Sequence, residues 1–196
     1  VKYIPELRND FGATIEDLLR YRVHGVRMST LKDETPEKIC TNVFERGFNA
    51  PPGAHNYTNL PAFLLGTILE RVGGQSLSEL AQRRFFEPLG MSDTTFFPND
   101  SACIAPTEII NSDEIRGIVH DESARVFARA GGAVGHAGLF STVPDLLNFL
   151  AMLLRDDVIS AGAGRGVGWQ VDKPWMEDRR GEKTFGKTGF TGTSVV

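Results

Sequence analysis

The chain has 196 residues and a formal net charge of −4, and its 41% hydrophobic and 23% charged residues are ordinary for a globular protein. This length allows one domain, or one and a half, with a core of useful size. Both signs of charge are interspersed, so no basic patch indicates nucleic acid, and no run of 18 apolar residues indicates a membrane span in this segment.

Capping residues and hydrophobic periodicity predict five helices, at residues 14–21, 35–46, 59–72, 76–86 and 142–154. Thr14 caps the first helix, and Pro36 stands at the first position of the second. Ser76 and Glu79 form a capping box for the fourth. The central helix, residues 59–72, has apolar side chains on all sides, so we expect it to be buried nearly all round.

The second half of the chain has fewer clear signals. Residues 91–130 show weak periodicity, with one short strand predicted at residues 94–97, and a glycine-dense turn follows at residues 131–138. Three strands are predicted at the end, at residues 166–171, 183–187 and 193–196. Helices first and strands last favour an α+β fold. The third strand ends with the sequence, without a turn or a partner, so we expect the natural protein to continue.

Two segments far apart in the sequence carry candidate catalytic groups. Tyr57 and Asn59 stand at the start of the central helix, two residues apart. A tyrosine can transfer a proton to or from a reacting group when neighbouring cations lower its pKa. Lys187 supplies a cation about 130 positions later, in a predicted strand that contains Lys-Thr-Gly. Together these segments predict an enzyme.

Each short motif has a simpler explanation when it stands alone. Tyr-x-Asn is common by chance as a helix cap beside an exposed ring, and Lys-Thr-Gly is equally weak. His120, Asp121 and Glu122 could hold a cation, but a hydrogen-bonding role in a loop is the simpler expectation. The four histidines show no metal-ligand spacing, so no metal site is predicted; they are His24, His55, His120 and His136.

Four longer motifs resemble the serine β-lactamase-like superfamily, on the side that includes class C β-lactamases, D-alanyl-D-alanine carboxypeptidases and related esterases. Residues 51–73 resemble its P-P-G-x-x-x-x-Y-S-N-x-x-x-x-L-L-G-x-x-x-E-x-x-x-G, and residues 86–94 resemble its F-x-P-L-G-M-x-x-T. Residues 135–146 resemble its G-x-A-G-L-x-S-T-x-x-D-L, and residues 186–192 resemble its Lys-Thr-Gly strand.

The resemblance implies an α+β, β-lactamase/transpeptidase-like fold. In that fold residues 1–196 are a partial domain. Residues 1–160 are mainly the helical region, and residues 161–196 are the first strands of the antiparallel sheet, which carry Lys-Thr-Gly. The implied mechanism is attack by a serine on an amide or ester carbonyl, which forms an acyl-enzyme that water then hydrolyses.

The resemblance also implies roles for individual residues. Tyr57 is implied as the proton shuttle, and Lys187 as the cation that favours its phenolate and attracts a substrate carboxylate. Asn59 is implied to hydrogen-bond the substrate or the lysine of the nucleophile. The implied substrate-binding edge follows Lys187, with the N–H of Phe190 as one oxyanion donor, and consists of Thr188, Gly189, Phe190 and Thr191.

The expected nucleophile is not in its usual place. The family carries Ser-x-x-Lys at the start of an apolar helix, upstream of a segment that resembles residues 1–7. Ser29 and Lys32 have this spacing, but a polar run surrounds them only about 28 residues before Tyr57, so we expect an exposed loop serine. The chain is therefore predicted to be an internal fragment that lacks hydrolase activity by itself. The alternative is a non-catalytic, penicillin-binding-like module that binds a ligand.

The resemblance implies a small-molecule or peptide substrate and no cofactor. The sequence leaves open whether the substrate is a β-lactam, a D-Ala-D-Ala peptide or a small ester, and it leaves the oligomeric state open. The compartment is also open, although the family is commonly found in the bacterial periplasm or cell envelope. Cys40 and Cys103 are expected to be buried free thiols, with their disulfide state undecided.

Overall fold

The computed structural model describes residues 2–99, 103–155, 167–171, 173–179, 184–189 and 191–196. Within these ranges the α-helices are α1 Ile15–Leu19, α2 Pro36–Arg46, α3 Leu60–Gly73, α4 Leu77–Ala81, α5 Glu87–Leu89, α6 Glu122–Arg129 and α7 Val143–Arg155. A π-helical turn, Gln82–Phe86, joins α4 to α5. Two 3-10 turns cover Met28–Leu31 and Pro174–Arg179.

The strands of the described residues form three small antiparallel sheets. They are β1 His24–Gly25 with β2 Phe48–Ala50, β3 Glu108–Ile110 with β4 Asp113–Ile115, and a third sheet of β5 Gln170–Val171, β6 Phe185–Thr188 and β7 Ser194–Val195. In the third sheet Val171 pairs with Phe185, and Lys187 pairs with Val195. The expectation that the last strand lacks a partner is therefore wrong, and the α+β class is confirmed.

Helix α3 lies at the centre of the main hydrophobic cluster. Leu60, Phe63 and Leu64 are at most 3% exposed, because they belong to one hydrophobic cluster with side chains of α1, α2 and β2 that include Leu18, Ile39, Val43 and Phe48. The far end of the helix differs from the expectation of burial all round. Leu69 and Val72 are 54% and 62% exposed, since the last turns leave the cluster on that side.

Local capping explains where several helices begin and end. Thr14 and Asp17 exchange hydrogen bonds at the start of α1, and Ser76 and Glu79 do the same at the start of α4, as the sequence predicts. Helical backbone continues past the predicted end of the fourth helix, through the π-helical turn and α5 to Leu89, and Gly90 closes it in the left-handed conformation. Pro88 stands near the start of α5, where proline is tolerated.

Residues 91–130 contain more regular structure than the sequence predicts. The hairpin β3–β4 and helix α6 lie in this stretch. Residues Asn111 and Ser112 both have positive φ, which is the geometry of a type I′ hairpin turn without its usual glycine. The strand predicted at residues 94–97 is reduced to a single bridge between Thr95 and Phe140.

Other expectations need smaller corrections. Residues 2–7 form turns, and residues 23–31 contain β1 and a 3-10 turn, for which no element is predicted above. The strand predicted at residues 166–171 is regular only at Gln170–Val171, and the next one runs over Phe185–Thr188. Residues 166 and 183 lie outside the described ranges.

The two cysteines differ in their burial. Cys40 is partly buried, and burial raises the pKa of its thiol, whereas Cys103 is exposed, so the expectation of burial is wrong for Cys103. No disulfide joins them in the described part of the chain. Across the same residues, no helix combines the length and the apolar composition that a bilayer crossing requires.

Candidate active site

A cleft of about 560 Å³ opens between the end of α1, the turn that precedes α3 and the three-stranded sheet. Its walls come from segments that are distant in sequence: Leu19, Arg20, Tyr21, His55, Tyr57, residues 168–171, Lys173 and residues 187–189. The cleft therefore contains both Tyr57 and Lys187, the two residues that the sequence predicts to act together.

Tyr57 stands at the edge of this cleft, with 63% of the residue exposed. Backbone hydrogen bonds hold the turn that carries it, because the N–H of Gly53 donates to Arg22 and the N–H of Asn56 donates to Tyr21. The Tyr57 ring stacks on the ring of Tyr21, with centroids 5.4 Å apart and planes 17° from parallel. The phenol is thus fixed in direction while it stays open to solvent.

Lys187 reaches the cleft from β6. Its Nζ donates to the hydroxyl of Tyr21 at 3.3 Å and to the carbonyl of Gly168 at 3.2 Å, and it lies 4.9 Å from the centre of the Tyr21 ring. Burial lowers the pKa of Lys187, and electrostatic attraction to Tyr57 opposes that shift. Because this ammonium group is partly dehydrated, its electrostatic attraction to an anion that enters the cleft is stronger than it would be in water.

Tyr21 also lines this cleft, although the sequence does not predict it there. It follows α1 with a φ of 53°, a conformation that non-glycine residues rarely adopt. Burial raises the pKa of its phenol, so the hydroxyl keeps its proton while its oxygen accepts the hydrogen bond from Lys187. No motif marks this tyrosine, because its role depends on contacts with Tyr57 and Lys187 that lie 36 and 166 positions away.

Asn59 stands just before α3 and is not among the residues that line the described cleft. Its side-chain nitrogen donates to the carboxylate of Asp121 at 2.8 Å. Asp121 caps α6, where its Oδ1 accepts from the N–H of Ala124. The structure thus connects the Tyr-x-Asn segment to α6 and, through Asp121, to His136 at 3.3 Å.

Only some of the residues predicted to form the substrate-binding edge line the cleft. Thr188 and Gly189 line the cleft directly after Lys187. The N–H of Gly189 donates to the carbonyl of Thr193 at 2.7 Å and closes a tight turn. Thr191 is exposed in that turn and is not among the lining residues, and Phe190 lies outside the described residues.

Comparison with known proteins identifies the family. A family model described as Beta-lactamase matches residues 1–196. The chain belongs to the Beta-lactamase family.

Curated relatives of this Beta-lactamase family member are longer proteins. One from Escherichia coli K12, named as a candidate D-alanyl-D-alanine carboxypeptidase, is 30% identical over 218 residues, which cover 89% of this chain and 48% of the relative. One of the same name from Escherichia coli O157:H7 is 31% identical over 214 residues, with the same coverage. The chain spans about half the length of the curated relatives it matches.

Solved structures of the serine β-lactamase and penicillin-binding protein superfamily share the fold. FmtA from Staphylococcus aureus matches with a TM-score of 0.63 at 18% identity, covering 79% of this chain and 43% of that one. A β-lactamase/D-alanine carboxypeptidase from Pseudomonas syringae matches with a TM-score of 0.58 at 22% identity, covering 76% and 41%. These matches confirm the β-lactamase/transpeptidase-like fold.

In this Beta-lactamase family member, Ser29 is exposed on a 3-10 turn and does not line the cleft. Lys32, its partner in the Ser-x-x-Lys pattern, pairs instead with Glu122 at 3.3 Å. The predicted exposure of Ser29 agrees with the structure. Among the described residues, no group of three or more His, Cys, Asp and Glu side chains could hold a metal ion.

Proposed function

We propose that this chain forms the Tyr57–Lys187 side of the active site of a β-lactamase-like serine hydrolase. The reaction proceeds through an acyl-enzyme on an amide or ester, such as a β-lactam, a D-Ala-D-Ala peptide or a small ester. The presence of Tyr57 and Lys187 in one cleft carries this proposal, since a proton-transfer group and a cation stand where an acyl donor could contact both.

Each group has a distinct task in this proposal. Tyr57 transfers the proton between the nucleophile and the leaving group, and Lys187 attracts the carboxylate of the substrate. Thr188 and Gly189 form the edge along which the substrate lies, and Thr191 lines the approach to it. The N–H of Phe190 donates to the oxyanion of the tetrahedral intermediate. Tyr21 keeps Tyr57 and Lys187 in register, because it contacts both.

The charge around the cleft supports an anionic substrate. Three cations line it, namely Arg20, Lys173 and Lys187, and no Asp or Glu is among the lining residues of the described chain. Arg20 is already paired with Glu16 at 2.9 Å. Lys173 and Lys187 therefore provide most of the positive field that a carboxylate-bearing substrate would meet.

A non-catalytic ligand-binding module is the second candidate. The exposure of Ser29 outside the cleft and the pairing of Lys32 with Glu122 favour it, because neither residue is arranged for covalent catalysis there. Both candidates bind the same kind of ligand. They differ only in whether a serine reaches the Tyr57–Lys187 cleft.

Intact-mass measurement after incubation with benzylpenicillin, followed by peptide mapping, separates the two candidates. For the 196-residue chain we expect no acyl adduct on Ser29. For any longer protein that contains this chain behind a Ser-x-x-Lys helix, we expect one acyl group on that serine, and the adduct should diminish strongly in Tyr57→Phe. Binding without an adduct in such a longer protein would favour the non-catalytic module, and an adduct on Ser29 would overturn our assignment of that residue.

A further inference from the structure

A second cluster of polar side chains lies beside the start of α3, outside the cleft. It joins Asn59 to Asp121, and Asp121 to Ser123 and His136. These residues come from three places: the turn before α3, the start of α6 and the glycine-dense turn before α7. The proposed chemistry at Tyr57 and Lys187 does not use the cluster, except that Asn59 follows Tyr57 by two positions.

The contact with Asp121 determines which way the Asn59 amide faces. Its side chain approaches Oδ2 of Asp121 at 2.8 Å. An ionised carboxylate only accepts hydrogen bonds, so the nitrogen of the amide must face it. The amide oxygen is then directed away from Asp121, where it remains an acceptor.

Asp121 is itself held in place from several sides. Its Oδ1 accepts from the hydroxyl of Ser123 at 2.7 Å and from the N–H of Ala124 at 2.9 Å, and Nε2 of His136 lies 3.3 Å away. Burial would raise the pKa of Asp121, but the hydrogen bonds from His136, Ala124 and Ser123 outweigh burial and hold this pKa well below its usual range. The group therefore stays an acceptor at neutral pH.

His136 forms the back of the cluster. Its side chain is 1% exposed, and its ring meets the ring of Phe63 at 6.1 Å between centroids. Nε2 lies 3.1 Å from the hydroxyl of Ser123, whereas Nδ1 is buried with no hydrogen-bond partner among the described residues. Among the described residues, His136 is therefore hydrogen-bonded through Nε2 alone, and this atom faces Asp121 and Ser123.

We propose that Asp121, supported by Ser123 and His136, is a positioning residue that fixes the Asn59 amide with its oxygen as the group offered to a ligand. The resemblance already implies a contact of Asn59 with the substrate or a lysine, and the new claim is that the contacting atom is the amide oxygen, which accepts from a donor such as an ammonium group or an amide N–H. This role in recognition rests on the proposed function, whereas the orientation of the amide does not.

A charge swap tests the orientation without any assay of activity. Asn59→Asp places two carboxylates in contact, and we expect the folding equilibrium constant of the 196-residue chain to fall on the order of tenfold or more. Adding Asp121→Asn restores a donor and an acceptor in exchanged positions and should recover most of that loss. The control is Asn42→Asp on α2, where Asn42 bonds the carbonyl of Lys38, and this change should have a much smaller effect.

Side-chain amide NMR reports the orientation of the Asn59 amide directly, because its nitrogen donates to Asp121. In the wild type, one Asn59 amide proton should exchange slowly with solvent. It should exchange rapidly in Asp121→Ala, while Ser123→Ala, which leaves the carboxylate in place, keeps it slow. If the loss in Asn59→Asp is not recovered by Asp121→Asn, or if Asn59 exchange is unchanged in Asp121→Ala, the proposal is wrong.

Acylation by benzylpenicillin shows whether the positioning of Asn59 by Asp121 and the proposed hydrolase activity fail together or separately. In a longer protein with a Ser-x-x-Lys helix, Asp121→Asn should slow acylation about tenfold if the oxygen of Asn59 contacts the reacting groups. A successful charge swap with no acylation even in the wild type would support the positioning of Asn59 and contradict the hydrolase. Acylation that is unchanged in Asp121→Asn would contradict the role of Asn59 in recognition.

Discussion

Tyr21 links the two residues on which the candidate site depends. It stacks on Tyr57 and accepts a hydrogen bond from Lys187, and its backbone adopts a φ of 53° to do so. Non-glycine residues in this conformation are often found at functional sites, where the surrounding structure stabilises the strain. Here the N–H of Asn56 bonds the carbonyl of Tyr21, and the N–H of Tyr21 bonds Leu18, so the backbone is held from both sides.

Replacing Tyr21 with phenylalanine removes the hydroxyl and keeps the stacked ring. We expect the free energy of unfolding to fall by about 1 kcal/mol, as is typical of a lost hydrogen bond. Lys187 keeps its bond to Gly168 and should become more mobile, which NMR of its side chain can detect. Tyr3→Phe, at a tyrosine outside the cleft, is the control and should match the wild type. Identical stability and Lys187 dynamics in both variants would contradict the role of Tyr21.

Lys187→Met changes stability in a way that depends on pH. Burial lowers the pKa of Lys187 in the folded chain, so the unfolded chain binds more protons between that lowered pKa and about 10.4, the value for an unperturbed lysine. The stability of the wild type relative to Lys187→Met should therefore rise as the pH increases through this window. Urea unfolding of both proteins at several pH values from 7 to 10.5 measures the difference, and a constant or falling difference would be inconsistent with a dehydrated Lys187.

At the scale of single residues, the sequence predicts that Tyr57 and Lys187 act together. It does not predict which side chains surround them. Their motifs are local, so they can be recognised without coordinates. Tyr21 could not be found in that way, because its left-handed backbone and its long-range hydrogen bond leave no periodic signal. The donation from Asn59 to Asp121 was also missed, since it joins residues 62 positions apart.

At the scale of elements, the predictions succeed where caps and periodicity agree. The starts of α1, α2 and α4 follow from Thr14, Pro36 and Ser76. Hairpin β3–β4 was missed because its turn uses Asn111 and Ser112 in place of Asn-Gly, and its strands are largely exposed. The start of α6 has a recognisable signal, because Asp121 is a helix cap and Glu122 makes the first turn acidic. Interpreting the same residues as a loop or a cation site hides this helix.

The contact between α3 and the glycine-dense turn gives a prediction for these elements. A Cβ at Gly135 would overlap the carbonyl oxygen of Ala62, and a Cβ at Gly66 would lie 3.0 Å from the nitrogen of Gly135. Gly135→Ala should therefore reduce the free energy of unfolding by about 1–3 kcal/mol, because backbone must move apart.

Gly132→Ala is the control from the same turn, since its Cβ would meet Phe127 at an ordinary 3.5 Å. It should change stability by less than about 0.5 kcal/mol. Thermal or urea unfolding of the two variants compares them directly. Equal effects would show that α3 and the turn do not approach as closely as the structure describes.

At the scale of the whole molecule, the candidate site depends on distant parts of the chain coming together. The cleft uses the end of α1, the turn before α3, and strands β5 and β6. The helical part supplies Tyr21 and Tyr57, and the sheet supplies Lys187, so neither part holds the site alone. Family membership supplies the fold, while the substrate depends on these side chains and remains a proposal.

Ligand binding to this cleft tests the central claim most directly. Trp169 lines the cleft, so in a Trp175→Phe background its fluorescence reports on occupancy. We predict that benzylpenicillin changes this fluorescence in a saturable way. Lys187→Met should weaken the apparent affinity at least about tenfold through the lost charge pairing, whereas Lys173→Met, at a cation on the same cleft, should weaken it less. No saturable change, or an affinity that is the same with and without Lys187, would contradict the assignment of this cleft as the site for an anionic acyl donor.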